Sequence, residues 1–388
     1  MWLRTGMIQM GMGLSFVIST YTVGLAQTSS SSVPASTEVR AGSRLSPDTA
    51  VSVVVGAFID GYYAYDFGRP TDFDRPFTTQ ATRHNEFNIG LAYIDAKLAG
   101  PRIRGRLALQ AGTAVQSNYS SEPTIGVVSG PSLSRFLQEA VAGYQISPSL
   151  WIDAGIFFSH IGMESFISRD NLTYTRSLSA DFTPYYESGA KLTWQVSPKL
   201  TALFAVVNGW QNISENNQDK AVGMRLDYVP GSTTTFSYYD FLGNEADSSR
   251  LRVFNGVGLK TNLTSALTVQ ANFDYGTQQK ASPSGHSSWY SSGLIGRLQI
   301  SPNLGLSARI ERYHDPDQVI VVTGLPAAFS ASLASVGIDI SPLRDSRLLW
   351  RSEARGTWAR KPVFPDRSAA SGFSRHNYVV VASLALTL

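Results

Sequence analysis

One four-residue phrase recurs along the chain and limits what it can fold into: Gln-Ile-Ser-Pro at Gln145 to Pro148, Gln-Val-Ser-Pro at Gln195 to Pro198, Gln-Ile-Ser-Pro at Gln299 to Pro302, and Asp-Ile-Ser-Pro at Asp339 to Pro342. The first three resume with Leu150, Leu200 and Leu304, two residues on. Serine and proline punctuate, and proline cannot donate to a ladder, so each copy ends one alternating segment and starts another. Weaker versions fall at Gly100-Pro101, Val229 to Ser232 and Asn262 to Ala266. Between successive turns lie two strands' worth of residues and a longer polar loop. Short turns at one end with long loops at the other are the sequence form of a closed antiparallel barrel spanning an outer membrane.

Counting alternation gives an all-β chain of about sixteen strands of roughly ten residues, enough to cross a bilayer at a tilt. They are Val53 to Asp66, Asn85 to Leu98, Arg102 to Gln116, Arg135 to Ile146, Leu150 to Phe158, Tyr185 to Val196, Leu200 to Trp210, and Lys220 to Val229. Then come Thr233 to Leu242, Leu251 to Thr261, Leu267 to Thr277, Ser288 to Ile300, Leu304 to His314, Ser330 to Ile340, Ser346 to Thr357, and His376 to Leu388. An even count places both ends on the periplasmic, short-turn side.

Composition excludes other classes. Charged residues make up 16% and hydrophobic ones 43%, yet no internal run approaches the roughly 20 apolar residues of a membrane helix. A formal charge of +3 without Lys/Arg runs argues against a nucleic-acid partner. With no cysteine, neither a disulfide framework nor a thiolate metal site can form. At the amino terminus Arg4, the mostly apolar Met7 to Val23 and Gly24-Leu25-Ala26 read as a signal peptide, 1–26, cleaved after Ala26, with an anchor helix as the weaker reading. Residues 27–52 are rich in Ser, Thr and Pro and read as a flexible leader before a barrel over 53–388.

The alternation assigns faces. Leu267, Val269, Ala271, Phe273 and Tyr275 point outward against Thr268, Gln270, Asn272, Asp274 and Gly276. Tyr186, Ala190, Leu192, Trp194 and Val196 oppose Glu187, Gly189, Lys191, Thr193 and Gln195 in the same way. Tyr144, Trp194 and Tyr228 stand two or three residues before a turn, the placement of an aromatic girdle. The inward set is charged. Arg102, Arg104, Arg106, Glu187, Lys191, Arg225, Arg252, Asp274, Arg297, Arg309, Glu311, Arg351 and Arg355 are the expected pore lining, joined by Arg347, Lys260, Asp60, Asp227, Asp339 and Glu353. Arg or Lys facing hydrocarbon at mid-depth costs about 2–4 kcal/mol, so these side chains need a wet or paired interior. The excess of basic groups predicts a weak anion preference; a fully paired interior without net field is the competing reading.

Of the outward loops the third, Ser159 to Pro184, is the longest at 26 residues and carries Glu164, Arg169, Asp170, Arg176 and Asp181. A barrel of this size leaves a channel that must be narrowed to select solutes, so an inward constriction with mixed charges is expected, against an external cap. Catalysis finds no support. His84, His160, His286, His314 and His376 lack metal spacing, Ser159 beside His160 makes no nucleophile and base pair, and neither metal nor cofactor is expected.

The stretches GIFFSHIGMESFISRDNLTYTRSL, Gly155 to Leu178, and NGWQNISENN, Asn208 to Asn217, resemble the OmpL-like β-barrel porin family of Gram-negative outer membranes, over about Val53 to the end. The resemblance implies a non-enzymatic porin in the bacterial outer membrane, passing small hydrophilic solutes by passive diffusion. Its partners would be membrane lipids and the barrel-assembly machinery, with a homotrimer expected by analogy. One departure is the final residue, Leu388, where many such barrels end in an aromatic. The rival is an interaction barrel, an adhesin or phage receptor without channel activity.

Overall fold

A computed structural model describes residues 38–39, 50–245, 250–280, 285–343 and 346–388, with only the backbone of 38–39. The expected signal peptide lies outside the described residues, as does most of the leader. Sixteen long strands follow one another: β1 Ser52–Asp66, β2 Phe87–Ala99, β3 Ile103–Ala111, β4 Leu137–Ser147, β5 Leu150–Phe158, β6 Tyr186–Ser197, β7 Leu200–Val207 and β8 Ala221–Gly231. The second half is β9 Thr234–Glu245, β10 Arg250–Asn262, β11 Leu267–Gln279, β12 His286–Ser301, β13 Leu304–Asp315, β14 Phe329–Ile340, β15 Leu348–Ala359 and β16 His376–Thr387. Each pairs antiparallel with its sequence neighbours, and β16 closes onto β1 from Val379↔Asp66 to Thr387↔Phe58. Closure satisfies every edge, which a sheet surrounded by hydrocarbon requires.

The recurring phrase builds one kind of turn. In the first three copies the register slips by one residue before the turn, at Gln145/Ser147, Gln195/Ser197 and Gln299/Ser301. The glutamine side chain then closes it: Gln145 Nε2 donates to the Pro148 carbonyl at 3.3 Å, Gln195 Nε2 to that of Ser197 at 2.6 Å and Gln299 Nε2 to that of Ser301 at 2.8 Å. The fourth copy has Asp339 in place of the glutamine. Its carboxylate is drawn into ion pairs with Arg351 and Arg297 instead, and the connection to β15 is longer.

The outer wall is apolar and carries the expected girdle. Tyr144, Trp194 and Tyr228 are exposed to 47%, 46% and 46%, and each pairs with the first residue of a neighbouring strand, Ile103, Leu150 and Leu200. Equal register puts them at matched distance from the short-turn end. At the other end Trp358 and Tyr378 stack edge to face at 6.0 Å.

Two local expectations fail. β3 stops at Ala111, not Gln116, because Gly112 takes a φ of 135° and Thr113–Asn118 coils into a helix, α1. Four residues, Thr113 to Gln116, are too few to distinguish a strand end from a helical turn. α1 enters the lumen: Thr113 Oγ1 meets the Tyr62 hydroxyl at 2.9 Å, and Val115 and Tyr119 pack with Phe58 and Leu91. Tyr186 leaves the outward series as well. It is only 2% exposed, with its ring 4.1 Å from that of Tyr119, a stacking partner the second loop supplies.

Candidate functional site

The third loop, residues 159–185, runs inside the barrel, and residues 171–181 are all buried. At its entry the Arg225 guanidinium on β8 donates to the carbonyls of His160 and Gly162 at 2.9 and 2.8 Å. Met163 then seats against β10 where Gly258 leaves room; a Cβ there would lie 2.2 Å from the Met163 sulfur. The descending limb ends in a single 3₁₀ turn, Ser168–Asp170. Ser168 donates to Asp60 at 2.7 Å, while Arg351 donates to the carbonyls of Ser168 and Asn171 at 2.7 and 3.1 Å. Arg169 reaches Thr387 Oγ1 at 2.5 Å and the carbonyls of Ser346 and Arg347. Those acceptors belong to the last turn and the end of β16, so the loop's tip stands at the short-turn mouth.

The returning limb is held by a buried ion cluster. Arg309 pairs with Glu311 at 2.7 Å and Glu353 at 3.0 Å, and donates to Thr173 Oγ1, the Thr175 carbonyl and Thr175 Oγ1 at 3.0, 2.7 and 2.7 Å. Glu353 accepts from the Thr175 amide and hydroxyl, and Glu311 from the Leu178 amide at 2.5 Å. Ser177 caps the short helix Leu178–Asp181 through the Ala180 amide at 3.1 Å, and its own amide and hydroxyl donate to Glu164. Burial pushes the Glu164 carboxyl above the usual glutamate range, although Arg309 and Ser177 pull it back. Burial raises Asp170 too, against a hydrogen bond from Ser165. Arg176 stacks over Phe166 and Tyr185 at 4.5 and 4.3 Å and donates to Thr79 of the first loop, whose amide and hydroxyl donate to Asp181. Arg355 comes within 3.4 Å of the Arg176 carbonyl.

The remaining expected lining residues are mostly paired along the wall. Arg104 forks onto Asp153, and Arg106 bridges Asp95 and Glu139. Arg225 also pairs with Asp227 at 2.9 Å, Arg297 with Asp339 at 2.8 Å, and Arg252 donates to Gln278 between Trp210 and Trp289. Asp274 accepts from Tyr239, Ser291 and Asn272. Arg102 sits at the rim, donating to the Gln145 carbonyl at 2.8 Å with its guanidinium over Tyr144. Lys191 lies 4.1 Å from the centre of the Phe157 ring. Among the described residues neither Lys191 nor Lys260 has a carboxylate within 4.0 Å of its ammonium. The acids that complete these pairs, Asp95, Glu139 and Asp153, are not among the expected lining residues. Alternation puts them inward, but naming their partners requires the strand register.

Ser159, His160 and Glu187 do not form a hydrolytic triad. Ser159 Oγ donates to Glu187 at 2.8 Å, not to His160. His160 places Nδ1 on Glu187 at 2.9 Å and Nε2 on the Asp240 carbonyl at 2.7 Å, an acceptor to which that nitrogen must donate. No base lone pair faces the hydroxyl.

No curated protein matches the sequence at significance. Among solved structures the chain superposes on the outer membrane channel DcaP of Acinetobacter baumannii with a TM-score of 0.55 at 11% identity, covering 87% of this chain and 97% of that one. It superposes on an anion-selective porin from Comamonas acidovorans with a TM-score of 0.56 at 8% identity, covering 87% and 100%. The trimer form of Vibrio cholerae OmpT gives 0.55 at 7% identity, covering 87% and 99%. At such identities these likenesses establish a shared porin fold. The family described as "Putative beta-barrel porin-2, OmpL-like" matches residues 52–388, and the chain belongs to that family.

Proposed function

We propose that the protein is an outer-membrane porin through which small hydrophilic solutes diffuse passively, with the third loop as its constriction. The observation that carries this reading is the loop's course: it crosses the lumen and is tied by Asp60, Arg309, Arg351 and Glu353 to inward faces of β1, β13 and β15. A loop held to the wall by paired charges narrows a sixteen-stranded barrel without closing its ends. Lys191 and Lys260 support a weak anion preference together with Arg102 and Arg252, which meet a carbonyl and a neutral amide, whereas Arg104, Arg106, Arg225, Arg297, Arg309 and Arg351 are paired with carboxylates. In this reading the mature chain starts after Ala26 and assembles as a homotrimer in the bacterial outer membrane. No step calls for a cofactor or catalytic group.

Tight seating of residues 171–181 favours a second reading, a silent barrel that displays its loops to a binding partner. Conductance in a planar bilayer separates the two. Under a salt gradient the porin gives stable open steps with an anion-side reversal potential. A folded protein without steps supports the display barrel, and a cation-side potential removes the anion preference.

A further inference from the structure

On β9 Tyr239 and Phe241 are buried toward the lumen, so Tyr238, Asp240 and Leu242 face outward. Asp240 is the one carboxylate that alternation puts on the outer wall of the described barrel strands. It lies at mid-depth. Phe236 pairs with Tyr228 of the girdle and Asp240 is four residues further on, while on β15 the two aromatic levels, Trp350 and Trp358, are eight residues apart. Opposite Asp240 on β10 stands the exposed Asn255. A carboxylate and an amide at this depth are costly against lipid chains, which offer no hydrogen bonds.

Part of the cluster has a local duty. From inside, His160 takes the Asp240 carbonyl, and the Asp240 carboxylate accepts the Met224 amide across the ladder at 2.8 Å. The Tyr238 hydroxyl bridges Asp240 Oδ2 and Asn255 Oδ1 at 3.1 and 2.7 Å. Tyr238 engages one end of the Asn255 amide, so in either orientation of that amide at least one of its N–H groups has no partner among the described residues. Around the pair lies a shallow apolar groove of about 670 Å³, formed by Leu192, Phe204, Val206, Met224 and Leu242.

We propose that a second copy of this chain docks on the outer face of β7 to β10, with Asp240 and Asn255 at the centre of the contact. The pair is self-complementary: Asn255 has spare donors and Asp240 spare lone pairs. Around a symmetry axis each copy's Asn255 donates to the next copy's Asp240, an arrangement open to two copies or three. Aliphatic side chains around a hydrogen-bonded polar centre are the anatomy of a contact within the bilayer. The proposal is independent of whether the channel conducts.

The chain has no cysteine, so Asn255→Cys introduces a single thiol. Outer membranes from cells expressing the full chain are oxidised with copper phenanthroline and run on non-reducing gels. Asn255→Cys is expected to give a disulfide-linked homodimer, whereas Val380→Cys, on the opposite wall, stays monomeric. Equal crosslinking of both, crosslinking of neither, or capture of a different protein by Asn255→Cys overturns the proposal. As a second measurement, Asp240→Leu/Asn255→Leu replaces the polar centre with lipid-compatible groups. Mild-detergent extracts should then shift from oligomer to a monomer that keeps the heat-modifiable mobility of a folded barrel; an oligomer that survives the double change overturns it.

Discussion

Thr175 and Glu353 are 178 residues apart in sequence and meet inside the barrel: the Thr175 amide donates to one carboxylate oxygen at 2.7 Å and its hydroxyl to the other at 2.8 Å. This contact couples the third loop to β15, and through Arg309 to β13. The loop is therefore held by the wall's own charges, and weakening those charges is the direct way to open it.

Glu353→Leu removes the acceptor for Thr175 and leaves the buried Arg309 with Glu311 alone. Deleting one member of a buried pair costs about 3–5 kcal/mol. We expect the loss to fall on loop docking, since the strand ladder is untouched. Protease cleavage between 163 and 178 should rise sharply while heat-modifiable mobility is retained.

Arg169→Ala frees only the tip from Thr387 and the last turn. Hydrogen bonds to a charged group contribute about 1.5–3 kcal/mol, less where solvent reaches them. The predicted result is a smaller change than in Glu353→Leu: more open-channel noise with little gain in mean conductance, read from single-channel records.

Through Glu164 the docked loop should tighten as pH falls toward the ordinary glutamate value. Burial raises the Glu164 carboxyl above its ordinary value, so the docked loop holds that proton more firmly than the released loop does. Its contribution is complete below the ordinary glutamate value and is lost as pH rises through the raised one. Loop opening should therefore increase with pH across that window, and Glu164→Gln should flatten the response. Conductance recorded over a pH series checks the sign.

Gly258→Leu would drive a side chain into the space that Met163 occupies. Overpacking of this kind costs about 1–3 kcal/mol, and Met163, being flexible, yields before β10 does. The loop's entry should loosen, giving higher conductance, whereas Gly258→Ala should cause a milder change of the same sign.

The fold was legible because its physics is local. Alternation with a period of two and the Gln-x-Ser-Pro turn both live within a dozen residues, so faces are legible strand by strand, as from Leu267 to Tyr275, the strand number follows from counting such segments, and the girdle from the matched offsets of Tyr144, Trp194 and Tyr228. The interior was harder to read. Arg104 and Asp153 are 49 residues apart, and only register decides that they fork together. α1 escapes such a reading because Thr113 to Gln116 is too short a stretch to separate a helical turn from a strand end, and Tyr186 because a partner from the second loop covers it. Loop length marked the third loop as special, but its course down to Arg347 and Thr387 depends on contacts more than 170 residues away.

The most direct test of a constricted porin compares single-channel conductance of the refolded chain with that of a variant lacking residues 163–178, in the same bilayer and salt. The account predicts stable steps for the intact chain and clearly larger steps for the deletion. Equal conductance in the two, with both barrels folded, would contradict it.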